Sequence, residues 1–92
     1  MRSIWKFELT YQDKQSVVMP KDAVVLHVDN QREVICIWCE LDPEDKNMRA
    51  RMFEVFGTGH EINYGMGAKR VYLGTVKLQG GDLVFHVYER IN

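Results

Sequence analysis

Alternation of apolar and polar residues with a period of two runs through most of this chain, in short segments closed by turn-forming residues. In "SIWKFELTY", Trp5, Phe7, Leu9 and Tyr11 fall on one face and Lys6, Glu8 and Thr10 on the other. That is the pattern of a half-buried strand, because successive side chains of a strand point to opposite sides. "QSVVMP" reads as a second short strand stopped by Pro20, which has no N–H to give a central ladder. "AVVLHV" and "EVICIWCEL", joined by the turn-rich "DNQR", are almost continuously apolar and are expected to be the most buried pair. "MRARMFEVF" sets Arg49, Arg51, Phe53 and Val55 against Met48, Ala50, Met52, Glu54 and Phe56. The last two strands, "RVYLGTVKL" and "DLVFHVYE", flank Gly80-Gly81, a tight-hairpin signal. Between the fourth and fifth strands, "DPEDKN" is a polar loop. Asp42, Pro43 and Glu44 would suit a helix start, so a helical turn within 43–50 stays open, with strand preferred for its second half.

Short strands without a sustained helical period predict an all-β domain over residues 1–92. About seven antiparallel strands are expected, as a meander closed into a small barrel or a two-sheet sandwich. At 46% apolar residues the chain can build a core, though a thin one for its length. The net charge of -1 argues against non-specific nucleic-acid binding, which needs a basic excess to displace counterions. No run approaches the ~18 apolar residues of a membrane span, so a cytoplasmic, soluble protein is the default expectation.

Gly57 to Lys69, within "FGTGHEINYGMGAKR", breaks the rhythm. Its span of about thirteen residues is long beside the ~2–5 usual for hairpin loops, and it concentrates Gly57, Gly59, Gly65 and Gly67. Long ordered loops on small rigid scaffolds often carry function. In "GTGH", alternating glycines could turn successive N–H groups into one anion-binding concavity. Thr58 and His60 add polar groups, Tyr64 a stacking ring, and Lys69 with Arg70 positive charge. The candidate ligand site is therefore Gly57, Thr58, Gly59, His60, Tyr64, Lys69 and Arg70, with a phosphate-bearing molecule as guest. The segment is neither a dinucleotide fingerprint nor a Walker loop.

Other chemistry is thin. Cys36 and Cys39 form a CxxC, but an odd separation on a strand sends the two sulfurs to opposite faces, and a second zinc-ligand pair is missing. His27 and His86 lie inside apolar strands and read as structural; a shared metal would need them to be cross-strand neighbours. No nucleophile elbow, acid pair or ligand cluster is present, so no catalytic residue, metal or cofactor is assigned and a non-enzymatic protein is expected. A micromolar ligand requires about 8 kcal/mol. Two or three charge-assisted contacts at roughly 1.5–3 kcal/mol each scarcely reach that from one shallow loop, which favours a homo-oligomer.

"IWKFEL", "MPKDAVVLHV", the "IW" of "VICIWCELDP", "FGTGH", "YLGT" and "GGDLVFHVYE" together resemble a family of small phage- and prophage-encoded proteins of unknown function. The resemblance runs from Ile4 to Glu89 and is most specific at "GTGH" and "LVFHV". It implies a phage accessory protein acting in the bacterial cytoplasm, of counter-defence type, and transfers no catalytic residue. Two functions fit that context. One is sequestration of a phosphate-bearing small molecule such as a nucleotide signal; the alternative is stoichiometric masking of a host or defence protein.

Overall fold

Where alternation is strongest, strands form. The structure, a computed structural model, describes residues 1–92. Its strands are β1 (Ser3–Leu9), β2 (Lys14–Pro20), β3 (Val24–Gln31), β4 (Val34–Leu41), β5 (Met48–Gly57), β6 (Arg70–Leu78) and β7 (Leu83–Arg90). They make two antiparallel sheets, a small one ordered β1-β4-β3 and a large one ordered β2-β5-β7-β6. The expected all-β sandwich is what forms, with no closed barrel. The meander is corrected: only β3-β4 and β6-β7 are consecutive neighbours, and the chain changes sheet on leaving β1, β2 and β4. The cause is burial. Each sheet needs the other to cover its inner face, and alternating between sheets builds both inner faces together.

That inner face is made of Leu9, Val28, Ile35, Ile37, Cys39 and Leu41 from the small sheet, with Met19, Phe53, Val55, Val76, Leu78 and Val87 from the large one. Arg51 closes one end. Its Nε and Nη2 donate to the Glu89 carboxylate at 2.7 and 2.8 Å, and its Nη1 donates to the carbonyl of Ala23. The pair thereby ties β5 and β7 to the segment leading into β3.

β4, at the centre of the small sheet, is as buried as its composition predicts. β3 is not. It is an edge strand whose outer face lies open, with Val24 52% and Leu26 48% exposed and a bulge between Val25 and His27. The β3–β4 turn also falls later than "DNQR": β3 runs to Gln31, and Arg32 and Glu33 turn the chain at positive φ. Residues 42–47 form a turn, not a helix, with Asp45 N–H bonded to the carbonyl of Asp42. β1 ends at Leu9, so Tyr11 lies beyond it, stacked on Phe85 with ring centroids 5.4 Å apart.

Both cysteines are free thiols, buried on opposite faces of β4, so the CxxC makes neither a bond nor a metal site. Burial pushes the Cys39 thiol up to about 11 from an ordinary 9.0. The unfolded chain therefore releases this proton first, and folding stability falls as pH rises from 9.0 towards about 11. Urea titrations across that range should show a shallower alkaline decline for Cys39→Ala than for the wild type. An identical slope would contradict the assignment.

Candidate functional site

Glu54 is the place where strict alternation fails. Phe53 and Val55 point into the core, so Glu54 and Phe56 point to the outer face of the large sheet, yet Glu54 is only 2% exposed. What covers it is Arg70 and the long connection from Thr58 to Lys69. Arg70 Nε donates to Glu54 Oε1 at 2.7 Å, with side chains 4% and 3% exposed. The guanidinium lies over the Phe56 ring at 5.6 Å and under the Tyr64 ring at 4.9 Å. It is thus a cation between two aromatic faces and bonded to a carboxylate, an arrangement suited to the planar, weakly hydrated Arg head. The hydrogen bond to Glu54, and after it the carboxylate's charge, hold the guanidinium proton more firmly than usual.

Both arms of the loop are fastened. On the first, Thr58 N–H donates to the carbonyl of Val84 at 3.2 Å, and Thr58 Oγ1 lies 2.8 Å from His86 Nε2. On the second, Lys69 N–H donates to Asn92 Oδ1 at 2.8 Å, and Ile91 N–H to the carbonyl of Lys69 at 3.0 Å. Between them the loop stands off the sheet. The cleft it leaves, about 580 Å³, is lined by Asp13, Lys14, Glu54 and Phe56 from below, by Glu61, Asn63, Gly65, Met66 and Ala68 from the loop, and by Arg70 and Arg90. Arg90 Nη1 is 3.8 Å from Glu54 Oε2. Arg70 Nη1 is buried with no hydrogen-bond partner in the protein.

The seven residues nominated from sequence divide. Gly57 N–H donates to His60 Nδ1 at 3.2 Å, His60 N–H to the carbonyl of Gly57 at 3.0 Å, and Thr58 N–H is held by Val84. Gly59, at φ +91°, makes the turn. The imidazole of His60 folds so closely over Gly57 that a Cβ there would sit 2.9 Å from its Cε1. Of the donors that "GTGH" could turn towards an anion, Gly57 N–H and His60 N–H are thus engaged within the turn and Thr58 N–H by β7. His60 and Lys69 are exposed and lie outside the cleft lining. Arg70 lines the cleft, and Tyr64 covers Arg70. The loop's sequence pattern does not point to Lys14, Glu54, Asn63 or Arg90. An acid inside the apolar run "MFEVF" was the available signal for Glu54. Lys14 and Arg90 are brought there only by the β2-β5-β7 pairing, which no local pattern encodes.

The remaining histidines stay apart, on different sheets. His27 Nε2 is 3.3 Å from Asp29 Oδ2 and its ring lies 5.9 Å from that of Trp38. His86 sits between the hydroxyls of Thr58 and Thr75, at 2.8 and 3.0 Å, and Thr75 in turn meets the Tyr72 hydroxyl. A hydroxyl where a triad would place a carboxylate leaves this imidazole without the charged orienting partner of a general base. No group of three or more His, Cys, Asp or Glu side chains could hold a metal ion. No helix is long and apolar enough to cross a membrane.

Fold and site together define a small two-sheet β-sandwich with a loop-roofed polar cleft on one outer face. A family described as a domain of unknown function, DUF7352, matches residues 1–92, and the chain belongs to it. No curated protein and no solved structure matches the chain.

Proposed function

We propose that this is a non-catalytic binding protein that takes a small phosphate-bearing molecule into the cleft beneath the 58–69 loop. The observation that carries the reading is Arg70: a rigid, buried guanidinium in the cleft wall with Nη1 unpartnered. A buried donor without an acceptor is costly, and an anionic oxygen from a ligand would satisfy it. Lys14 and Arg90 supply further positive charge, Asn63 an amide, and Tyr64 an exposed ring beside them. Asp13, Glu54 and Glu61 balance those three cations, so the cleft selects by directed hydrogen bonds rather than by overall field. That favours a guest with both phosphate oxygens and donors of its own, such as a nucleotide.

Sequestration of such a molecule in a bacterial cytoplasm, by an accessory protein of phage origin, is the biological form of this proposal. It draws on the sequence resemblance. Titration of 15N-labelled protein with inorganic pyrophosphate and with ATP tests the chemistry. Saturable shifts of the Arg70 side-chain Nε–H, Asn63, Gly65 and Ala68 are the expected result; an unmoved spectrum at millimolar ligand would overturn it.

The masking alternative has a surface of its own. On the outer face of the small sheet, half-buried Trp38 lies among exposed Ile4, Val24, Leu26 and His27. A half-buried Trp with exposed apolar side chains nearby, set directly between Lys6 and His27, has the mixed composition of a protein-binding hot spot. Trp38→Ala should then abolish activity in cells while leaving the pyrophosphate shifts intact.

A further inference from the structure

Each sheet has two edges, and three of these four carry a feature that discourages pairing with another chain. β3 and β6 are bulged, the latter between Tyr72 and Gly74, and they lean on each other. Asn30 Nδ2 donates to the carbonyl of Lys77 at 3.0 Å, and a Cβ on Gly74 would come within 3.2 Å of Val28 Cβ. β2 ends in Pro20. β1 differs: it pairs with β4 residue for residue from Ser3 to Leu9 without a shift, contains no proline, and leaves its other side unpaired. A regular, open edge presents a row of free N–H and C=O groups to any strand of matching pattern.

We infer that β1 is the seat of self-association, pairing antiparallel with β1 of a second copy about a twofold axis at Phe7. The sequence chooses the register. Directly opposed residues in an antiparallel pair share a face, so centring on Phe7 sets Lys6 against Glu8 of the second copy, and Glu8 against its Lys6. On the inner face it sets Phe7 against Phe7 and Trp5 against Leu9. Trp5 is 41% exposed and gains cover there. Centring on Lys6 would oppose like charges directly, which is destabilising. Centring on Trp5 would face Lys6 with Ile4 and bring Glu8 to Arg2, whose Nε is already 2.6 Å from the Glu40 carboxylate; the Phe7 register asks Lys6 to share or give up only an exposed hydrogen bond to the neutral Gln31 amide. A one-residue slip would turn the second copy's inner face to solvent. Only the Phe7 centre satisfies both faces, and it is isologous, so assembly closes at a dimer. The inference is independent of the ligand cleft, which lies on the outer face of the other sheet.

Sedimentation velocity on the purified full chain tests it, with circular dichroism as the check on folding. The wild type should populate a dimer at micromolar to millimolar concentrations. Lys6→Glu and Glu8→Lys should each weaken dimerisation by about ten- to hundredfold, since each opposes two like pairs across the axis. The swap Lys6→Glu with Glu8→Lys restores opposite charges in this register and should return dimerisation close to wild type. A monomeric wild type at millimolar concentration, or folded single variants that dimerise as well as wild type, would overturn the inference. So would a folded swap variant that stays monomeric.

Discussion

Replacing Glu54 by leucine should lower the stability of the fold by about 3–5 kcal/mol, the usual consequence of stranding one member of a buried ion pair. For a domain of this size that is a fall of at least about 12 °C in thermal midpoint. The reason is specific. Arg70 cannot lose its proton, and without Glu54 its side chain, 4% exposed between the Phe56 and Tyr64 rings, is left with no bonded carboxylate. The companion variant Glu54→Leu with Arg70→Met removes both charges while keeping side-chain volume, and should recover most of the loss. Calorimetry of the two variants reads the result even where the single variant is largely unfolded. A single variant within about 1 kcal/mol of wild type, well below the range expected for breaking a buried pair, would mean that the pair does not hold the loop.

The second large effect concerns ligand binding. Lys14→Ala combined with Arg90→Ala should weaken pyrophosphate binding by about 10²–10⁴-fold, the sum of two charge-assisted contacts of roughly 1.5–3 kcal/mol each. Folding should survive, because Lys14 is exposed and Arg90 meets Glu54 only at 3.8 Å. The contrasting pair, His60→Ala with Lys69→Ala, should leave affinity nearly unchanged, since neither side chain lines the cleft. Calorimetric titration of both double variants decides between the site the sequence suggests and the one the structure assembles. Loss in the second pair with retention in the first would return the site to "GTGH".

How far the sequence could be read follows from the range over which each feature is encoded. Strand limits are local, and β6 falls where its alternation begins and ends, at Arg70 and Leu78. The long loop is equally visible, because Gly57 to Lys69 breaks the period. Strand order is not local. β3 and β4 look alike in composition, yet one is an edge and the other a centre, and only the pairing partners decide that. The same limit hid the cleft. Lys14, Glu54 and Arg90 come from three strands and meet through cross-strand register. "GTGH" shows the converse: Gly59 does supply special backbone geometry, but the N–H groups of Gly57, Thr58 and His60 are already bonded within the protein, which the sequence does not reveal.

The most direct test of the binding cleft is native mass spectrometry of the protein purified gently from bacterial cytoplasm, then denatured to release anything it carries. The account predicts a folded species bearing a small phosphorus-containing mass, lost on denaturation and lost also from Lys14→Ala with Arg90→Ala. A protein that emerges clean, and stays clean when offered pyrophosphate, nucleotides and cyclic nucleotides, would contradict it.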